Sequence, residues 1–156
     1  MIWTEQGLRD AGFSGFVPLV EVKPELIPSS PGVYVVLRLS ETPPIFLAKN
    51  EAWPFRGDPT VDQTVLADCW VTGSPAVYVG KAATLRSRIG AYRRHGTGGH
   101  SKHWGGRYVW QLADHRQLLV CWRACAEGEE PEAVETDLIS DFRAQYGSRP
   151  FANLTK

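Results

Sequence analysis

Tyr78-Val79-Gly80-Lys81-Ala82-Ala83-Thr84-Leu85-Arg86-Ser87-Arg88-Ile89-Gly90-Ala91-Tyr92 is where the chain changes periodicity. Ala76 to Gly80 is a short β-branched and aromatic run ended by glycine, which predicts a strand. Thr84 then suits a helix N-cap. Leu85, Ile89 and Tyr92 recur at helical spacing, which predicts a helix to about His95. Gly96-Thr97-Gly98-Gly99 stops that helix and opens a loop through Gly105 and Gly106.

Upstream, Pro31 and Gly32 punctuate a second strand-like run, Val33 to Leu39. From Ser40 to Pro75, prolines and glycines interrupt every short apolar piece, so 40–75 reads as an insertion. Downstream, Tyr108 to Ala113 and Gln117 to Ala124 read as two strands joined by a hairpin connection at Asp114-His115-Arg116. The closing helix runs from Pro131 through Tyr146, with acids crowding its first turns and Gly147 ending it. The tail 149–154 packs back through Phe151 and Leu154. This order predicts an α+β fold, a small mainly antiparallel sheet flanked by helices, in one domain over 1–156.

Composition agrees with one globular domain. The chain has 156 residues, 43% hydrophobic and 22% charged, a balance that excludes disordered and collagen-like chains. Three cysteines without an export signal exclude a disulfide framework, and Cys121 and Cys125 lack the second pair a zinc site needs. No basic leader precedes an apolar run and no stretch is long enough to span a bilayer. The expectation is a cytoplasmic protein without membrane contact.

Seventeen basic and seventeen acidic residues cancel, so any polyanion must be met by a local patch. Lys81 to Arg107 holds seven lysines and arginines and no acid, interleaved with histidines and aromatics, a composition suited to phosphate contact and base stacking. Glu127 to Asp141 holds seven carboxylates and no base. Two oppositely charged solvated faces would produce the same pattern.

Helical projection separates these charges. On the closing helix Leu138, Ile139, Phe142 and Tyr146 fall within about 60° of Glu135, while Asp137 and Asp141 point away. A carboxylate centred on an apolar stripe must be paired, protonated or bound to a metal. A buried ion pair with an arginine and a functional carboxylate both satisfy that requirement. On the first helix Arg88 lies at the stripe's margin, whereas Arg86, Arg93 and Arg94 face outward. A Walker A loop is excluded, because six residues rather than four separate Gly73 from Gly80 and Ala82 replaces the magnesium-binding hydroxyl. His95, His100 and His103 have no metal-binding spacing, which leaves phosphate contact or solvation.

Taken in order, these residues resemble the GIY-YIG nuclease family, whose two strand motifs appear here as Gly32-Val33-Tyr34 and Tyr78-Val79-Gly80. Lys81, Leu85, Arg88 and Tyr92 follow at the family's offsets, then Glu135 with Leu138 and Ile139, then Pro150 and Asn153. The match spans Gly32 to Asn153. Forty-three residues separate Tyr34 from Tyr78, more than in minimal members, and the segment before Gly32 and the His100 to Arg107 segment also lie outside the minimal domain.

The resemblance implies a metal-dependent endonuclease that hydrolyses phosphodiester bonds in nucleic acid, with DNA the expected form. Glu135 would hold a single Mg2+ or Mn2+, since a two-metal site needs several acidic ligands. Arg88 would neutralise the developing phosphorane charge, and Tyr34 or Tyr78 would orient or deprotonate the water. A free phenol titrates near 10, so Lys81 or the phosphate environment would have to assist. Asn153 would anchor the glutamate region or contact the phosphate. Arg86, Tyr92, Arg93, Arg94, His100, Lys102, His103 and Arg107 are the expected nucleic-acid contacts, and a partner protein or second copy could supply target choice. The alternative is a nucleic-acid-binding module that has lost cleavage, a loss that usually shows as replacement of the arginine, the glutamate or a tyrosine. None is replaced here.

Overall fold

A computed structural model describes residues 1–154. Four strands, β1 (Ser14–Pro18), β2 (Gly32–Leu37), β3 (Ala76–Ala82) and β4 (Leu119–Ala124), form one sheet in the order β1-β4-β2-β3, with every neighbouring pair antiparallel. Every residue of β2 is buried, which explains its unbroken apolar sequence: a strand covered on both faces needs no polar alternation. Tyr34 and Val36, with Tyr78, Val120 and Trp122 on neighbouring strands, pack beneath helix α3 (Leu85–Gly96). Val33, Val35 and Leu37, with Val79 and Cys121, face α1 (Glu5–Asp10) and α4 (Pro131–Tyr146). The predicted α+β sheet with flanking helices is therefore the observed architecture, arranged as three layers.

Burial explains why α4 docks as it does. Ile139 and Phe142 are buried on its sheet-facing side, and a side chain of that size contributes about 1.5–3 kcal/mol when fully buried. Trp3 meets the Phe142 ring edge-on at 5.1 Å. Its indole nitrogen donates to Asp141, as does the terminal ammonium of Met1, so the N-terminus is fastened to α4.

Two sequence expectations change. Tyr108 to Ala113 is not a strand: Trp104–Gln111 is a 3-10 run. The buried amide of Gln111 donates to Leu47 and Val61 carbonyls and accepts from Val61 N, and backbone pairing is confined to an isolated bridge in which Gln111 O accepts from Leu47 N and Ala113 N donates to Ile45 O. The hairpin at 114–116 is accordingly absent, replaced by a 3-10 turn at His115–Gln117, and β4 pairs instead with the distant β1 and β2. Within the 40–75 insertion, Asp62 caps a short helix, α2 (Gln63–Cys69). The cysteines are all free thiols, and among the described residues no helix is long and apolar enough to cross a membrane.

Strand β3 lies at the sheet edge, and the C-terminal tail covers part of it. Ala152 N donates to Val77 O, and the Asn153 amide both accepts from Val79 N and donates to Val79 O. Covering an edge in this way satisfies backbone groups that would otherwise invite pairing with another chain. The tail bonds stop at Val79, short of Lys81 and Ala82.

Candidate active site

Around that end of β3 opens a cleft of about 730 Å³ lined by Tyr78, Lys81, Arg88, Glu132 and Glu135, together with Ser87 and backbone of the α3 and α4 starts. Strand alternation would ordinarily separate Tyr78, which packs on the α3 face, from Lys81, three residues on. Because β3 is an edge strand, side chains from both of its faces reach around it into one space. Helix α3 supplies Arg88 from one wall and α4 supplies Glu135 from the other.

Glu135 is only 8% exposed, as its place on the apolar stripe predicts. A lysine is among its cationic neighbours: Lys81 Nζ lies 3.5 Å from Glu135 and 2.6 Å from Glu132. Glu132 sits one turn before Glu135 and is mostly exposed. Glu132 is not among the residues expected from the sequence, although its i, i+3 spacing to Glu135 is a signal for it. Ser87, facing the cleft between Thr84 and Arg88, left no signal at all.

Behind the cleft wall lies an aromatic cluster. Tyr34 is fully buried, and its hydroxyl sits 2.6 Å from Nε2 of His103. The His103 ring stacks on Tyr92 at 3.8 Å with an 8° interplanar angle, and its Nδ1 is buried with no hydrogen-bond partner. Burial pushes the Tyr34 and Tyr92 phenols well above their ordinary 10.0 and raises Tyr78 as well, while the Arg88 guanidinium pulls all three the other way. Burial first, and then Arg88, hold His103 well below 6.5, so the imidazole is neutral at physiological pH. Tyr78, whose ring lines the cleft, is thus the phenol that can meet a bound molecule directly, and Tyr34 stands behind it at 5.9 Å between ring centroids. Gly80 permits this arrangement, because a Cβ there would meet the Tyr34 ring at 2.5 Å.

The other sequence-predicted site residues divide clearly. Asn153 does not line the cleft; its amide is engaged with Val79 on the β3 edge. Tyr92 and His103 are fully buried and present no surface to a polyanion. Arg86 and Arg93 donate to the carbonyls of Ile27 and Val22, fastening the segment before β2 to α3 rather than standing free. Arg94, His100 and Lys102 are exposed and Arg107 is partly so. The three histidines are dispersed: His95 bonds the Trp53 carbonyl, His100 packs at a tilt on the Trp53 ring, and His103 belongs to the tyrosine cluster.

A carboxylate pair with a lysine, an arginine and a phenol at one cleft is a set that can bind an anionic ester, neutralise charge on it and hold a hard cation. Magnesium binds through one or two carboxylates and keeps several waters, and Glu135 with Glu132 on an open cleft fits that donor set. No three His, Cys, Asp or Glu side chains gather into a metal cage among the described residues. Compared with protein-family models, curated proteins and solved structures, the chain finds no match.

Proposed function

We propose that this protein is a phosphodiester hydrolase acting on nucleic acid, of the GIY-YIG type that its motif order resembles. One observation carries the reading: Tyr78, Lys81, Arg88 and Glu135, spread over 58 positions of sequence, line a single cleft. In this reading Glu135 holds one divalent ion, which when bound supplies charge stabilisation at the leaving oxygen. Arg88 receives a non-bridging phosphate oxygen, where its planar fork can make two parallel hydrogen bonds. Tyr78 orients the attacking water. Its raised pKa, set chiefly by burial and opposed first by a hydrogen bond with Tyr34 and then by Arg88, keeps it protonated in the free protein. A phenol so placed positions the water through its hydroxyl, and the water's proton would pass to a phosphate oxygen as the new bond to phosphorus forms. Lys81 balances Glu132 and Glu135 in the resting site and is free to turn toward the phosphate when a cation takes its place. DNA is the expected substrate, and a partner or second copy would supply target choice.

Plasmid nicking with and without magnesium tests this directly. The expected result is magnesium-dependent nicking that Glu135→Ala abolishes while the melting temperature holds or rises, since removing a mostly buried carboxylate relieves its desolvation. Arg88→Ala should slow single-turnover cleavage by about 10² or more, the scale of losing one preorganised donor, while Arg86→Ala should leave the chemical step intact. Full activity in Glu135→Ala would refute the assignment. Unfolding of that variant would instead favour a structural ion pair with Lys81.

A further inference from the structure

The insertion and the loop after α3 meet in a second feature outside the cleft. The arm 50–57 is tethered to the end of α3: Trp53 N donates to His95 O, and His95 Nε2 contacts Trp53 O. Asn50, 1% exposed, holds its base by donating to Arg107 O and accepting from Ala52 N. A tight turn then follows, with Phe55 N bonded to Trp53 O and Gly57 N to Pro54 O.

That turn displays Phe55, 38% exposed and the one exposed side chain among the phenylalanines, tyrosines and tryptophans of the described residues. A lone exposed apolar residue is ordinary. This one is not alone. Lys102 Nζ lies 5.5 Å and the Arg56 guanidinium 5.7 Å from its ring centroid. Trp53 packs at a tilt on His100 at 3.8 Å beside it, and Arg107 covers Trp104 at 4.8 Å. Over 49–58 and 94–107 the charges are Lys49, Arg56, Arg94, Lys102 and Arg107 against Glu51 and Asp58, a net of +3. Aromatic faces interleaved with cations on a held loop are what an unpaired nucleobase and its phosphate require; a paired base has its faces covered by its neighbours in the duplex.

We infer that the 50–57 arm and the 98–107 loop form a stacking ledge for unpaired nucleic acid, with Phe55 as its platform and Arg56 and Lys102 on the flanking phosphates. The ledge adjoins the cleft: Ser101 donates to the carbonyl of Ala91, a residue of the cleft wall, and His103 reaches Tyr34. The inference rests on the nucleic-acid reading above and gives it a substrate class, a strand with an unpaired stretch, which a minimal domain without the insertion would not select.

Fluorescence anisotropy without metal tests it, using a labelled single-stranded DNA, an RNA of the same sequence and a blunt DNA duplex of the same length. The single strands should bind more tightly than the duplex, and the stronger of the two identifies the sugar the ledge prefers. Phe55→Ala should weaken single-strand binding by about tenfold, the cost of one lost stacking platform, and leave duplex binding unchanged. Phe55→Trp should restore it, which separates stacking from a folding defect. Equal affinity for strand and duplex, or a Phe55→Ala loss shared by both, overturns the ledge. Selective strand binding without magnesium-dependent nicking would keep the ledge and reject the hydrolase; nicking with no strand preference would do the reverse.

Discussion

At the scale of single residues, His103 shows how far burial alters a side chain's role. On a glycine-bearing loop rich in lysine and arginine it reads as a phosphate contact, yet it is inserted between Tyr34 and Tyr92 with no exposed surface. The groups around it are the phenols of Tyr34, Tyr78 and Tyr92, the guanidinium of Arg88 and the imidazole of His95. Its folded pKa lies below 6.5, so the unfolded chain binds more protons between the two values and stability falls as pH drops through that window. For this one group the loss approaches about 1.4 kcal/mol per pH unit. His103→Phe keeps a ring against Tyr92 but cannot protonate. It should melt lower than the wild type at pH 7, because the Tyr34 hydroxyl loses its contact with His103, and should show a flatter fall between pH 6.5 and 5. Melting curves across that range decide it. Parallel pH profiles for the two proteins would mean that His103 is not the group that titrates. The window lies above the range in which Asp58, Asp62 and Glu129, all held below their ordinary values, gain protons.

Among the elements, edge strand β3 depends on a tail that holds no strand of its own. Asn153→Ala deletes two hydrogen bonds to Val79, worth about 2 kcal/mol together, and should lower Tm by about 4–8 °C for a chain of this size. Cleavage should fall with it, because Lys81 lies two residues along the same strand. Lost cleavage with an unchanged Tm would give Asn153 a direct chemical role. Elements built by periodicity were legible in the sequence: β2, β3, α3 and α4 follow from apolar spacing, and Glu135 was found because a carboxylate on a helical stripe is conspicuous. The missed elements have physical reasons. In β1, a bulge at Gly15 and Val17 and positive φ at Gly15 (100°) and Phe16 (58°) break the alternation on which a strand reading depends. The 108–113 run has strand composition, but it belongs to a 3-10 run that turns Tyr108, Val109 and Trp110 into the core beneath α3 and leaves only an isolated bridge from Leu112 to Phe46. The ledge was invisible because it joins the insertion to a loop some 45 residues away, and only tertiary contacts bring them together.

For the molecule as a whole, zero net charge hides a division that the fold makes spatial. The cleft has Arg88 on its α3 wall and Glu130, Glu132 and Glu135 on its α4 wall, with Lys81 of β3 paired to the last two, while Arg94, Lys102 and Arg107 lie on α3 and the segment that follows it. In the proposed function, a nucleic acid would lie along the α3 side and present its phosphate to the acidic wall, where a bound cation would offset the carboxylates. Affinity should fall steeply with salt, with each phosphate contact contributing about 0.9 to the log–log slope on duplex DNA. Arg94→Ala and Lys102→Ala should each reduce that slope by about one contact. Arg93 differs because its guanidinium bonds the Val22 carbonyl, so Arg93→Ala should lower Tm and leave the slope nearly as it was. Titrations at several salt concentrations on the three variants, with melting curves beside them, separate a binding face from a scaffold. Equal slopes for Arg94→Ala, Lys102→Ala and wild type would show the acid-free segment to be solvated surface alone.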